Sequence, residues 1–512
     1  MDSRLRACCD LFHSAVREYA GRHEYDGIVA DLSPDAIAHK LSRLGVGPAL
    51  DDPHDESHLK AFEAMLRVQF APASDGGVEI HRWNPLLIAS ELDLACYDKE
   101  YAPAEERAAA RSRHLAGWPA ALESALESLD RVSVPVAKAA LPALRGTAGG
   151  ISPDDGAAGE QALAAHARLI AHLEAAAESG PTETALGAPA LAALLGSGEA
   201  VEVDLGALAA RADSERDRLR ALLDDACAQL KPGLSTADAV KQLVSDHPDI
   251  DGVLEQARKD TETALRFTAE RGLAPYTDGE CRVGPAPESR RWAMAMMSWA
   301  APGEPEGPSW YHVTPPDPSW PAEDVEEWLA VFSRTTLPAI TVHEVAPGHY
   351  AHGRALRRAP SEVRRTLFSE AFAEGWAHYV EELCLEEGYP GDGDREAELH
   401  YQAGVAIEAL VRVTRFACAI GVHTGGMTVE DGARRFEQDA FLQGPAAVSE
   451  AARATFDPTY GRYTWGKLAI LDLREEAKKR WGSEFSLSRF HAALLDLGSP
   501  PLGLMATALE RG

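Results

Sequence analysis

EERAAARSRHLAGWPAALESALESLDRV, residues 105–132, is rich in alanine, leucine, glutamate and arginine, and its apolar residues recur three and four apart. That spacing predicts an amphipathic helix. The same texture returns in EQALAAHARLIAHLEAAAE (160–178) and ADSERDRLRALLDDACAQL (212–230), so helices dominate the chain. The breakers GTAGGISPDDGAAG (146–159) and SGPTETALGAPA (179–190) read as loops between helices, and no repeat of fixed period is present. Between about 272 and 322 the texture changes: GLAPYTDGECRVGPAPESR and APGEPEGPSW read as loops, and SWYHVT as a short strand. The fold class is therefore mainly α with a small β element. A lobe boundary is set near residue 275, giving an N-terminal helical lobe over 1–275 and a C-terminal lobe over 276–512, both parts of one compact unit.

With 512 residues, 45% hydrophobic and 25% charged, the chain is long enough to bury a large core. Its formal charge of −30 is spread among mixed acids and bases, which serves solubility and argues against a nucleic-acid partner. The first 21 residues carry charges throughout and lack the apolar run of a secretory signal. ALGAPALAALLGSG, the most apolar segment, is shorter than the roughly 20 residues that cross a bilayer, so no membrane partner is expected. Cysteines at 8, 9, 96, 227, 281, 384 and 418 form no C-x-x-C pair, which argues against a disulfide framework and a thiolate zinc cluster. The expected compartment is the cytoplasm.

The chemistry concentrates in TVHEVAPGHYAHG, residues 341–353. In H-E-x-x-H, two histidines four apart on one helical face hold zinc and the glutamate acts as base. Here the second histidine is two residues late. On an unbroken helix His343 and His349 would stand about 9 Å apart along the axis and roughly 120° apart around it, too far for one metal. Thr336-Leu337-Pro338 predicts the helix start, with threonine as cap. Pro347 then collides with the carbonyl of His343 and Gly348 tolerates unusual backbone angles, so the helix must open between the histidines and can return His349 toward His343. A third ligand is expected on SEAFAEGWAHYVEELCLEEG, 369–388, where Glu370, Glu374, His378 and Glu381 form a polar stripe on a mostly apolar helix. Glu374, 31 residues after His343, leaves room for an antiparallel return. Glu370, His378 and Glu381 fit salt-bridged or supporting roles at least as well. A second His-Glu pair, His23-Glu24, lacks these companions and reads as plain surface.

HEVAPGH, FAEGWAHYVEEL and the C-terminal YTWGKLAILDLREEAKKRWGSEFSLSRFHAALLDLGSPPLGLM resemble the bacterial domain of unknown function 885 family, over about residues 310–510. That family groups with gluzincin-type zinc metallopeptidases. The resemblance implies a helical two-lobed metallopeptidase-like fold, with His343, His349 and Glu374 as ligands of one Zn2+, Glu344 as base, and the N-terminal lobe as the other wall of the cleft. The chain departs from the family pattern at Tyr350 and His352, and at Ala419 ahead of Gly421-Val422-His423, which bears on substrate contacts and leaves the ligand set intact.

Such a centre hydrolyses amides through a water, with Glu344 moving the proton. Tyr463 is the expected oxyanion donor, because a phenol donates without carrying charge. Arg412, Arg415 and Arg474 are candidate carboxylate clamps, and His423 and His491 stand as further polar candidates. The expected substrate is a peptide or a small amide. The alternatives are a zinc amidohydrolase acting on a small metabolite, and a non-catalytic helical scaffold.

Overall fold

Alanine- and leucine-rich periodicity becomes helix along most of the chain, in a computed structural model that describes residues 1–291, 293–391 and 393–512. The segment 105–132 folds as the helix Ala104–Ser128, and 160–178 lies inside Gly156–Ser179. Six further helices build the site and are labelled in chain order: α1 Leu205–Leu230, α2 Leu337–Glu344, α3 His349–Leu356, α4 Glu370–Glu386, α5 Arg395–His423 and α6 Arg462–Trp481. Asp204 starts α1 by accepting from Ala207 N at 2.9 Å, and Ser369 starts α4 by accepting from Phe372 N at 2.9 Å. Among the described residues no helix is long and apolar enough to cross a membrane.

Three short strands form the only sheet among the described residues: β1 Cys281–Pro285, β2 Ala295–Ser298 and β3 Ser309–Val313, in the order β1-β3-β2. β1 runs parallel to β3, with Val283 opposite Tyr311, and β2 runs antiparallel to it, with Met297 opposite Tyr311. The strand expected in SWYHVT is β3. β1 lies in a stretch that reads as loop, because five residues containing Gly284 and Pro285 show no alternation of their own; pairing with β3 makes the strand.

The buried side chains gather into three cores. One contains residues up to Leu173, together with Val363 and Leu367. The largest joins residues 191–273 to the C-terminal helices, with α1 packed along α5. A third lies under the sheet and includes Val283, Tyr311, Val313, Ile340 and Val345. The apolar face of α1 is covered by α5, so residues before and after position 275 share the largest core. Fully buried Phe372 and Trp376 anchor α4, each side chain worth about 1.5–3 kcal/mol when removed from water. α4 and α6 approach through glycine: a Cβ on Gly375 would stand 2.4 Å from Gly466 Cα. Lys467 locks three helices, its Nζ 2.8 Å from Glu215 Oε1 of α1 and 2.6 Å from Glu382 Oε2 of α4.

Candidate metal centre

α2 begins at Leu337 with Pro338 in its first turn, as the sequence predicts, but Thr336 does not cap it. The Thr336 hydroxyl donates to Val331 O at 2.6 Å instead. The helix ends at Glu344, four residues cross without helical structure, and α3 begins at His349. Gly348 has a φ of −71°, so left-handed geometry is not why glycine stands here. The reason is close approach: a Cβ at this position would lie 1.9 Å from His343 O and 2.4 Å from Val342 O. The break turns the His349 ring against that of His343, with centroids 4.8 Å apart at 89°.

α4 runs past this turn and brings Glu374 between the two rings. Its Oε2 stands 3.5 Å from His343 Nε2 and 3.5 Å from His349 Nε2. One donor atom from each of the three residues lies within 4.8 Å of the others, and they are the only such group of three or more among the described residues. Ligands about 2.1 Å from a tetrahedral zinc are separated by roughly 3.4 Å, a spacing that the two imidazole–Glu374 distances match.

The surroundings orient the trio. His343 Nδ1 faces Glu381 Oε1 at 2.6 Å, and Arg412 Nη1 donates to Glu381 Oε2 at 3.0 Å. A carboxylate only accepts, so Nδ1–H of His343 points at Glu381, the orientation in which Nε2 would face a metal once it gives up its own proton. Burial and Arg412 disfavour charge on His343, yet the bonds to Glu374 and Glu381 raise its pKa to about 9. Burial opposes ionisation of Glu374 too, but His349 and His343 outweigh it and hold the carboxyl well below the usual range. Arg412, His378 and His343 do the same for Glu381. Glu344 behaves differently: burial pushes its pKa up, and its Oε2 is buried with no hydrogen-bond partner among the described residues. Tyr463 lies 6.4 Å from the His343 ring, centroid to centroid, and its phenol is raised by burial and by Glu374.

The other residues singled out by the sequence divide clearly. Glu370, one turn before Glu374, is exposed and pairs with Arg462. His378 contacts Glu381 Oε2 at 3.4 Å. Arg415 is held by Glu450 and stands over the Tyr463 ring, whereas Arg474 pairs with Glu386. His423 and His491 are buried and bind the carbonyls of Ala454 and Leu273. His23 is more than surface: it lies half-buried between Asp26 and Glu304 and stacks on Tyr101.

Sequence reasoning missed Trp299, whose ring is 6.4 Å from that of His349, and Tyr19, which packs on Trp299 at 5.3 Å. It also missed Glu408, a half-buried carboxyl whose Oε2 lies 3.7 Å from Arg412. Only the Glu408–Arg412 spacing of four on a helix was available as a signal. Beside the centre opens a cleft of about 2600 Å³, walled by both halves of the chain, including Tyr19, Met296, Glu370, Arg453 and Arg462. The metal trio does not line it, but Glu370 and Arg462 bring its wall to within one turn of Glu374 and to the neighbour of Tyr463.

A family model described as "Bacterial protein of unknown function (DUF885)" matches residues 17–509. The chain belongs to that family. No curated protein matches it. Among solved structures it is similar to a putative lipoprotein of unknown function from Shewanella oneidensis, with 21% identity, a TM-score of 0.73 and 98% of each chain covered. It is also similar to the putative lipoprotein from Colwellia psychrerythraea, with 17% identity, a TM-score of 0.79 and coverage of 99% of this chain and 97% of the other. These likenesses establish the mainly α fold over the whole DUF885 chain.

They also overturn the cytoplasmic expectation, since proteins named as lipoproteins are anchored or exported. The cysteine argument for the cytoplasm carries no weight: all seven thiols are free and six of them are buried, and thiols shut away from oxidant are inert in either compartment.

Proposed function

We propose that this DUF885 protein is a zinc-dependent hydrolase of the gluzincin type that cleaves peptide or peptide-like amide bonds. The observation that carries the reading is the convergence of His343 Nε2, His349 Nε2 and Glu374 Oε2 beside the unpartnered Glu344 Oε2. Structural zinc sites are closed and rich in cysteine, whereas three nitrogen and oxygen donors with an open position suit catalysis. Zinc bound there supplies a water of lowered pKa and polarises a carbonyl. Glu344 Oε2 would accept the proton of the attacking water and return it to the leaving nitrogen. Tyr463 donates its phenolic hydrogen to the developing oxyanion. Glu381 and Arg412 keep the His343 ring in register throughout.

A cleft of about 2600 Å³ favours a peptide over a small metabolite, for which pockets of roughly 300–1,000 Å³ are usual. β2, an edge strand whose Met296, Met297 and Ser298 line that cleft, offers unpaired backbone groups to an extended chain. The names of the two structural relatives support an anchored or exported setting. Peptide hydrolysis by the purified chain, measured with bound zinc, after chelation and after zinc is restored, tests the proposal. Activity should vanish and return, and activity indifferent to chelation contradicts it.

A further inference from the structure

Three arginines gather around Tyr463 where the cleft comes nearest the metal ligands. The guanidinium carbons of Arg415 and Arg462 stand 5.5 and 5.8 Å from the Tyr463 ring centroid, and that of Arg453 is 5.6 Å from Tyr460. They share two half-buried carboxylates, Glu450 and Asp457. Arg415 Nε and Nη2 each donate to Glu450 at 2.7 Å. Arg453 and Arg462 both draw on Asp457, at 3.0 and 2.7 Å. The remaining acid, Glu370, meets Arg462 Nε at 3.0 Å, but its side chain is 60% exposed, so solvent screens that pair.

Three guanidinium groups thus face Glu450, Asp457 and the solvent-screened Glu370, so one of the three is only weakly neutralised. Arg415 and Arg453 each keep Nη1 without a hydrogen-bond partner among the described residues. The first turn of α6, which starts at Arg462, has no side-chain cap, and its free N–H groups add partial positive charge at the same place. Glu450, Arg453, Asp457 and Arg462 line the cleft, and the Arg453 side chain is 26% exposed, so a ligand in the cleft can reach them.

An excess of planar donors suits a carboxylate, which guanidinium groups grip through paired hydrogen bonds. The anionic group that every unmodified peptide carries is its terminal carboxylate. We propose that Arg453 and Arg462 in the cleft wall, with Arg415 behind them against Tyr463, form a receptor for the C-terminal carboxylate of a peptide, so that the centre trims peptides from that end. The proposal rests on the peptide-hydrolase reading and adds the substrate class.

Calorimetry on the full-length, zinc-loaded Glu344→Gln chain tests it, with Ala-Ala-Ala, Ala-Ala-Ala-amide and Ala-Asp-Ala-amide as probes. The free acid is expected to bind at least about tenfold more tightly than its amide, the loss that follows removal of one charge-assisted contact. Arg453→Met should shrink that preference and Arg453→Lys should keep part of it, while added salt weakens it in the parent chain. Equal affinity for acid and amide, no binding of the acid, or an undiminished preference in folded Arg453→Met overturns the proposal. Binding of Ala-Asp-Ala-amide as tightly as Ala-Ala-Ala overturns it as well, because the wall would then read side-chain acids. If Arg453→Met fails to fold, the acid and amide comparison in the parent still decides. Failure of the hydrolase reading is separate: the unmutated zinc-loaded chain would cleave no peptide, whatever it binds.

Discussion

Replacing Glu381 with alanine separates the metal site from the scaffold that aims it. Glu381 is fully buried and spends both oxygens, Oε1 on His343 Nδ1 at 2.6 Å and Oε2 on Arg412 Nη1 at 3.0 Å. Removing it frees the His343 ring to turn and to change tautomer, which typically costs 10–100-fold in metal affinity, or about 1.4–2.8 kcal/mol. It also leaves Arg412 buried with only Glu408, 3.7 Å away, and stranding one partner of a buried ion pair costs about 3–5 kcal/mol of stability. Two assays read the two effects: zinc affinity by competition with a chromophoric chelator, and chemical denaturation of the metal-free chain. Glu381→Gln should fall between the parent and the alanine variant, because its amide oxygen still accepts from Nδ1 without the charge. Zinc affinity unchanged in Glu381→Ala refutes the orienting role, however unstable that variant proves.

Three further outcomes are expected. Glu344→Gln should retain zinc and lose at least about 10²-fold in turnover, the usual share of a general base; near-parent turnover removes Glu344 from the mechanism. His343→Ala, His349→Ala and Glu374→Ala should each lose zinc severely while Glu370→Ala does not, and a competition titration in which His349→Ala matches the parent contradicts the turn at Pro347-Gly348. Acid should destabilise the fold through buried neutral histidines: burial lowers His114 to about 4 and His58 to about 3, from 6.5 when unfolded. Because these folded values are depressed, the stability they contribute is complete above pH 6.5 and falls as pH drops toward 4. Denaturation midpoints that stay flat between pH 7 and 4 contradict that assignment.

Much of the site was legible because its chemistry is local. His343, Glu344, Pro347, Gly348 and His349 fall within seven residues, and a proline four residues after a histidine dictates a break before any tertiary contact forms. Helical spacing on α4 gave the stripe Glu370, Glu374, His378 and Glu381, of which the fold brings Glu374 between the two histidines. The reason for Gly348 was not, since the clash with His343 O exists only once the turn has closed. Trp299 and Tyr19 were invisible for a similar reason: they meet only when the first core docks against the sheet. The helical class followed from periodicity, while β1 was lost because parallel pairing with β3 is a contact remote in sequence. The lobe boundary was read from loop texture near 275, but the packing of α1 against α5 unites residues on both sides of it.

The central claim is that His343, His349 and Glu374 hold one catalytic zinc. Its most direct test is a crystal structure of the zinc-supplied chain with anomalous diffraction recorded on both sides of the zinc absorption edge. A single strong peak is expected about 2.0–2.2 Å from His343 Nε2, His349 Nε2 and a Glu374 oxygen. A chain free of metal, or zinc bound away from these three residues, contradicts it.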